Sequence, residues 1–188
     1  MTPENFKIYK PFGYLSQFSN NQTKRKNKKL LGEIFEFPEG TMAIGRLDED
    51  SEGLLLLTTD GSISEAVRSS QVEKEYYVQV DGLMGEEELE QLRNGVEIGV
   101  HGKKFTTSPC QASLLPAPPD FPERGRKIRD ARHGPTCWIS ITLTEGKFRQ
   151  VRKMTASVGF PTLRLVRVRV GGILLDTMQP GEVQKIEL

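Results

Sequence analysis

The stretch Gly45–Gly61, GRLDEDSEGLLLLTTDG, constrains the fold most, because it places acidic residues directly before an uninterrupted hydrophobic run. Leu54–Thr59 predict a buried strand that ends at the turn dipeptide Asp60-Gly61. Four carboxylates precede this strand: Asp48, Glu49, Asp50 and Glu52. Unpaired ions cost several kcal/mol in a dry interior, so we expect these residues on a loop at the entrance of the strand, with one of them half-buried.

Three interpretations of this acidic loop follow from the residues alone. A calcium loop of the DxDxxG type would need a glutamate at its last position, which Thr59 occupies here. A solvated acidic loop before a core strand would carry no activity. A catalytic carboxylate presented at the strand edge would be held ionised by a flanking cation, here Arg46.

The composition is typical of a soluble globular protein, with 36% hydrophobic and 27% charged residues. A chain of 188 residues suits one domain, which can consist of two packed lobes. The formal net charge of +1 gives no general attraction to nucleic acid, so any RNA binding would depend on local clusters of cations.

Cysteine and histidine usage argues against metal and disulfide scaffolds. Cys110, Cys137 and two histidines are too few for a tetrahedral zinc site or a disulfide framework, and they favour a reducing compartment. No apolar run approaches the about 20 residues that a membrane helix needs, and the first residues lack a signal-peptide core. We therefore expect a cytoplasmic protein with no membrane partner and no metal.

Two clusters of cations are candidates for phosphate contacts. The first lies in Thr23–Lys29, and the second lies in the proline- and glycine-rich segment Pro116–Pro135. The second cluster contains Arg124, Arg126, Lys127, Arg129 and Arg132. Each segment is interpreted either as an RNA contact or as a solvated loop without a ligand.

Periodicity predicts an α+β fold with a mixed, largely antiparallel sheet and flanking helices, because strand signals outnumber helices and come in hairpin-like pairs. The predicted strands include Phe6–Tyr9, Tyr14–Phe18, Lys74–Val80, Phe105–Leu115, Trp138–Thr144 and Val166–Val170. The predicted helices are Ser62–Val67, a helix between Glu86 and Gly95, and Phe148–Ser157. In the last strand Leu165 shares a face with arginines, where it either packs, as a strand leucine usually does, or lies exposed beside them.

These segments resemble the RsuA-type pseudouridine synthases, in which GRLD carries the essential aspartate. The resemblance also covers KPFGYLSQF at Lys10–Phe18, KEYYVQVDG at Lys74–Gly82, LRNGV at Leu92–Val96, EGKFRQVRKM at Glu145–Met154 and LRLVRVRVG at Leu163–Gly171. The blocks lie in the family's order and span nearly all of the chain. Within the family, the likeness is greatest to the E branch of the large-subunit ribosomal RNA enzymes.

The resemblance implies roles for individual residues. Asp48 matches the catalytic aspartate, Tyr76 matches a tyrosine that stacks near the uracil, and Arg152 matches an arginine that pairs with the aspartate. A cation within about 4 to 6 Å would lower the pKa of the Asp48 carboxyl by roughly 1 to 3 units. The positions matched or expected to bind RNA are Arg46, Lys74, Arg149, Leu165 and Arg167. Arg46 matches the residue that fills the gap left by a flipped base.

The implied reaction converts one uridine of large-subunit (23S) ribosomal RNA to pseudouridine. It breaks the C1'–N1 bond, rotates the base and rejoins it through C5, without a metal or redox cofactor. The implied fold is a curved sheet with a central cleft that holds Asp48, and we expect a monomer. The alternatives are an inactive RNA-binding module and a glycosidase-like hydrolase, which would pair Asp48 with Asp50 or Glu52.

One departure from the family concerns RNA binding. Family members commonly carry an N-terminal S4 domain, whereas this sequence begins almost at the first strand of the catalytic domain. We therefore expect a single catalytic domain over residues 1–188 whose grip on RNA comes from basic loops. The expected contacts are Arg124, Arg126, Lys127 and Arg129.

Overall fold

A computed structural model describes residues 2–19, 27–69 and 71–188 of the chain. The strands are β1 (Asn5–Lys10), β2 (Tyr14–Leu15), β3 (Lys29–Leu30), β4 (Met42–Ile44), β5 (Glu52–Thr58), β6 (Lys74–Asp81), β7 (Glu97–Val100), β8 (Lys103–Thr106), β9 (Gln111–Leu114), β10 (Thr136–Leu143), β11 (Thr162–Val170), β12 (Ile173–Leu174) and β13 (Val183–Ile186). The α-helices are α1 (Gly61–Ser69), α2 (Glu86–Asn94) and α3 (Gln150–Ser157), and short 3-10 helices lie at Leu31–Glu33 and Ala131–His133.

The first of two compact units comprises Met1–Val72, Pro122–Gly125 and Arg167–Leu188. In this unit β1 lies between β13 and β5 and pairs antiparallel with both, while β4 pairs antiparallel with β5. Every residue of β5 is buried, and Leu54, Leu55 and Leu57 have no solvent exposure. Burying each of these side chains contributes about 1.5–3 kcal/mol, so β5 is the hydrophobic centre of the unit and the predicted buried strand is confirmed.

The second unit comprises Glu73–Phe121 and Arg126–Val166. β10 pairs antiparallel with β6 on one side and with β9 on the other, while β7 and β8 form a separate hairpin. Helix α2 contacts β9, and α3 contacts β7. The chain leaves α2 at Gly95, where φ is +96° and an added Cβ would lie 2.2 Å from the Thr107 carbonyl oxygen. Only glycine fits this turn.

The architecture confirms the predicted α+β class: helices flank sheets whose strand pairs given above are antiparallel, and β2 and β3 form a parallel pair. Three element predictions were wrong in detail. The predicted strand Tyr14–Phe18 is shorter, since β2 ends at Leu15. The predicted strand Phe105–Leu115 is divided into β8 and β9, with Pro109, which lacks an N–H for a strand ladder, in the gap. Helix α3 begins at Gln150 rather than Phe148, because Arg149 has a left-handed backbone with φ of 52°.

Candidate active site

The loop that carries Asp48 connects β4 to β5 within the first unit. Ser16 fixes the residue before Asp48 by two hydrogen bonds: the Leu47 N–H donates to Ser16 Oγ at 2.9 Å, and Ser16 Oγ donates to the Leu47 carbonyl at 2.7 Å. The Ser51 N–H donates to the Asp48 carbonyl at 3.0 Å, which closes a turn at the aspartate. These bonds hold the backbone of Asp48, so its carboxylate is presented from a preorganised turn.

Asp48, Glu49 and Asp50 lie on the loop at the mouth of the core strand, as predicted, and all three are half-buried, whereas the prediction was wrong for Glu52, which belongs to the strand itself. Asp48 is half-buried, Arg46 is exposed and Leu47 is buried. Glu52, the first residue of β5, is only 1% exposed. The four carboxylates therefore differ in access to solvent, and Glu52 is removed from it.

Lys10 is a functional candidate that the sequence analysis did not single out. Its side chain is fully buried at the end of β1, and Nζ donates to the carbonyls of Pro11 at 3.0 Å and Tyr14 at 2.7 Å. Burial lowers the pKa of Lys10 to about 7, although the negative charge of the acidic loop, from Glu52 most strongly, opposes this shift. A buried cation at the end of β1 therefore lies in the electrostatic field of the Asp48 loop. Four acids so close together in the sequence could have indicated that a buried cation balances their charge.

Another lysine, Lys28, contacts the acidic loop at Glu49. Lys28 Nζ lies 2.5 Å from both carboxylate oxygens of Glu49, and the Gly13 N–H donates to the Glu49 carbonyl at 2.7 Å. Of the predicted basic cluster Thr23–Lys29, the residues before Asn27 lie outside the described residues. Lys28 thus forms an ion pair with the acidic loop, and its role as a phosphate contact stays a prediction.

Tyr76 and Lys74 lie on β6 in the second unit. Alternate residues of β6 are buried, and Tyr76, at 9% exposure, lies on the buried side. The ring of Tyr77, on the other side, lies 6.0 Å from that of Phe121. Lys74 Nζ donates to the Thr144 carbonyl at 3.1 Å. The predicted opposition of the two tyrosines is confirmed, and Lys74 has a structural contact.

Arg149 and Arg152 lie at the start of α3, also in the second unit. Arg149 caps the helix in its left-handed conformation, and its carbonyl accepts from the Lys153 N–H at 3.1 Å. Arg152 is half-buried in the first turn. Asp48 belongs to the first unit and Arg152 to the second, and their pairing stays a prediction.

Two predicted RNA contacts on β11 are buried rather than exposed. Leu165 is 4% exposed, so it packs, and the alternative in which it lies exposed beside arginines was wrong. Arg167 is also 4% exposed, and its Nε donates to the Leu54 carbonyl at 2.7 Å. The alternation of apolar and charged residues did not predict the burial of Leu165 and Arg167, because both faces of β11 are covered along its middle.

The cations of the second basic segment fall into different environments. The Arg124 guanidinium lies 4.5 Å from the centre of the Phe12 ring. Arg129 binds both carboxylate oxygens of Asp81, and its side chain is only 18% exposed. Arg126 and Lys127 are exposed, with Lys127 Nζ 3.7 Å from an Asp130 oxygen. Two of the four predicted RNA contacts are therefore open to solvent, while Arg129 anchors the loop to β6.

Within residues 2–19, 27–69 and 71–188, no group of three or more His, Cys, Asp or Glu side chains is arranged to hold a metal ion. No helix in the described part of the chain is long and apolar enough to span a membrane.

Comparison with known proteins identifies a family. The sequence profile described as RNA pseudouridylate synthase matches residues 6–157. The "Ribosomal large subunit pseudouridine synthase E" of Vibrio parahaemolyticus is 42% identical over 95% of this chain and 72% of its own length. The protein of the same name from Xanthomonas axonopodis pv. citri is 42% identical over 92% of this chain and 88% of its own length.

A solved structure supports the same relationship at the level of the backbone. A crystal structure of a pseudouridylate synthase superposes with a TM-score of 0.77 and 26% sequence identity. The match covers 98% of this chain and 70% of that protein.

Proposed function

The chain belongs to the RNA pseudouridylate synthase family, and from this premise we propose that it isomerises one uridine of large-subunit ribosomal RNA to pseudouridine. The relatives from Vibrio parahaemolyticus and Xanthomonas axonopodis are named for the large ribosomal subunit, which supports this choice of RNA. The reaction cleaves the C1'–N1 bond, turns the uracil and joins C5 to C1', so substrate and product have the same atoms.

One observation carries the proposal: the family match over residues 6–157 contains the three proposed catalytic residues, Asp48, Tyr76 and Arg152. Asp48 is the proposed nucleophile at C1' or, on the other route, the base that acts at the sugar. The hydrogen-bonded turn around Asp48 supports either role, because a fixed backbone leaves the Asp48 side chain less freedom to lose when substrate binds.

The other residues are proposed to prepare the substrate. A uridine must leave its stack before Asp48 can reach it, which costs a few kcal/mol. Exposed Arg46 is proposed to fill the vacated space, Tyr76 to stack near the uracil or accept a proton, and Arg152 to orient the Asp48 carboxylate. Arg149 and Lys74 are proposed as RNA contacts near the same residues.

A two-carboxylate hydrolase is the less favoured alternative. Such an enzyme places a second carboxyl group across the substrate from the first. Glu52 is 1% exposed and lies close enough to Lys10 to act on its pKa, which argues against a role facing RNA. Asp50 remains the candidate for a second catalytic carboxylate, and its substitution tests this alternative.

The experiment is to map pseudouridines in large-subunit ribosomal RNA from a strain that lacks the gene. The strain is then complemented with the wild type, Asp48→Asn or Asp50→Asn. We expect one pseudouridine to disappear in the deletion strain and to return with the wild type and Asp50→Asn, but not with Asp48→Asn. Thermal melting of the purified variants verifies that both are folded.

Three outcomes would contradict the proposal. If no pseudouridine is lost from ribosomal RNA, the proposed substrate is wrong. If Asp48→Asn restores the modification, Asp48 does not perform the chemistry. If Asp50→Asn fails as completely as Asp48→Asn although it is folded, two carboxylates are required and the mechanism with one aspartate is wrong.

We also propose that the enzyme acts in the cytoplasm as a monomer. The free thiols of Cys110 and Cys137 support a reducing compartment. Light scattering of the purified protein tests the oligomeric state, and a mass twice the 21.1 kDa of the chain would contradict it.

A further inference from the structure

An exposed aromatic ring lies just before helix α3, outside the proposed catalytic residues. Phe148 is 56% exposed, more than Phe35, the other exposed phenylalanine of the described residues, at 43%. The His101 ring stacks against it with centroids 6.0 Å apart and an angle of 24° between the planes. Lys153 Nζ lies 5.1 Å from the ring centre. These contacts orient the ring while more than half of the side chain remains in solvent.

Two further lysines lie close in the chain to Phe148 or to its stacking partner His101. Lys147, the preceding residue, is exposed, and its Nζ lies 4.9 Å from the centre of the Phe105 ring. Lys103 is exposed at the start of β8, two residues after His101. We name the surface formed by His101, Phe105, Lys147, Phe148 and Lys153 the Phe148 patch. It combines three aromatic rings with two lysine side chains.

The carboxylates near the patch already accept hydrogen bonds or pair with a lysine. Glu145 accepts from Ser108 Oγ at 2.8 Å and from Gln150 Nε2 at 2.7 Å. Glu97 pairs with Lys104 at 2.9 Å. Glu145 also interacts electrostatically with Lys147, so the net positive charge of this surface comes mainly from Lys103 and Lys153.

We propose that the Phe148 patch binds an unpaired nucleotide of the RNA substrate. The base displaces the Lys153 ammonium from the Phe148 ring and stacks there, and Lys147 and the displaced Lys153 contact phosphates. Proteins hold single-stranded nucleic acid in this way, because every base offers a π-face and every phosphate a charge. Phe148 lies four residues before Arg152 along the chain. The patch would hold RNA beside the nucleotide that reacts, so the inference rests on the proposed function.

The test measures steady-state kinetics and RNA binding for Phe148→Ala, Phe148→Leu and Phe148→Trp. The kinetic substrate is protein-free large-subunit ribosomal RNA from the deletion strain, and the binding probe is single-stranded polyadenylate. Loss of stacking should raise KM and weaken polyadenylate binding about fivefold or more in the alanine and leucine variants, with kcat lowered less. The tryptophan variant should bind at least as well as the wild type.

Matched variants separate this role from general effects of exposed side chains. Leu83 is another exposed apolar residue of the same unit, at 66%, and Leu83→Ala should bind polyadenylate like the wild type. Lys147→Gln and Lys153→Gln should each reduce the slope of log affinity against log salt by about one.

Phe148→Leu decides between stacking and simple packing, since leucine keeps the apolar volume and lacks the aromatic face. Wild-type affinity and KM in Phe148→Leu or Phe148→Ala would overturn the proposal, as would a loss of kcat without a change in KM. Failure of the proposed function would differ from this: the wild type would form no pseudouridine in ribosomal RNA, while the polyadenylate measurement would still report on the patch.

Discussion

The buried ammonium of Lys10 donates a 2.7 Å hydrogen bond to the carbonyl of Tyr14, four residues along the chain. A second bond to the Pro11 carbonyl closes the turn that follows β1. The same lysine lies in the field of Glu52, Asp50, Asp48 and Glu49. One buried cation therefore links the turn after β1 to the loop that carries the proposed catalytic aspartate.

Lys10 should make stability depend on pH. The unfolded lysine holds its proton up to about pH 10.5, whereas burial lowers the folded pKa to about 7. Between these values the unfolded state binds more protons, so the contribution of Lys10 to the free energy of unfolding rises with pH, by up to about 1.4 kcal/mol per pH unit. Below about pH 7 both states are protonated and the contribution is constant.

Urea unfolding of the wild type and of Lys10→Met at several pH values measures this effect. Methionine keeps most of the side-chain volume and has no titrating group. We expect the stability difference, wild type minus variant, to grow as pH increases above about 7. A difference that stays constant up to about pH 9 would contradict the lowered pKa.

Arg167 should act on stability, because its buried Nε donates to the Leu54 carbonyl in the core strand β5. Arg167→Met would leave that carbonyl without this donor, at a cost of about 2 kcal/mol and a melting temperature lower by roughly 4–8 °C. The control is Arg68→Met, since Arg68 pairs with Glu65 at the surface and the loss should stay within about 1 kcal/mol. An Arg167→Met protein with wild-type melting but weakened RNA affinity would instead support the direct RNA contact predicted from the sequence.

Substitution of Arg129 should affect stability, whereas substitution of its neighbours Arg126 and Lys127 should affect RNA binding. Arg129→Gln should lower stability by about 1 kcal/mol or more, because Asp81 and the Pro135 carbonyl lose a partly buried guanidinium. Arg126→Gln and Lys127→Gln should leave melting unchanged and weaken RNA binding, each reducing the salt slope by about one. If all three variants change the melting temperature equally, the structural role of Arg129 is wrong. If Arg126→Gln and Lys127→Gln keep wild-type RNA affinity at every salt concentration, these two residues do not contact RNA.

The sequence was sufficient to predict the elements whose signals are local. Leu54–Leu57 form an unbroken apolar run, so the burial of β5 followed from hydrophobicity alone. Glycine at position 95 marked the end of α2, because a left-handed turn there excludes other residues. Local rules failed where a single residue interrupts a pattern, as Pro109 does between β8 and β9 and Arg149 does before α3.

By itself, then, the sequence determined the fold class, the buried strand, the acidic loop at its mouth and the family. The tertiary structure decided which charged side chains are buried and bind partners within the protein. Lys10, Arg129 and Arg167 have partners 4, 48 and 113 residues away along the chain. Alternation shows which residues share a face of a strand, but whether that face is covered depends on distant segments that pack against it. Desolvation and pairing of a charge are therefore set only when the chain has folded.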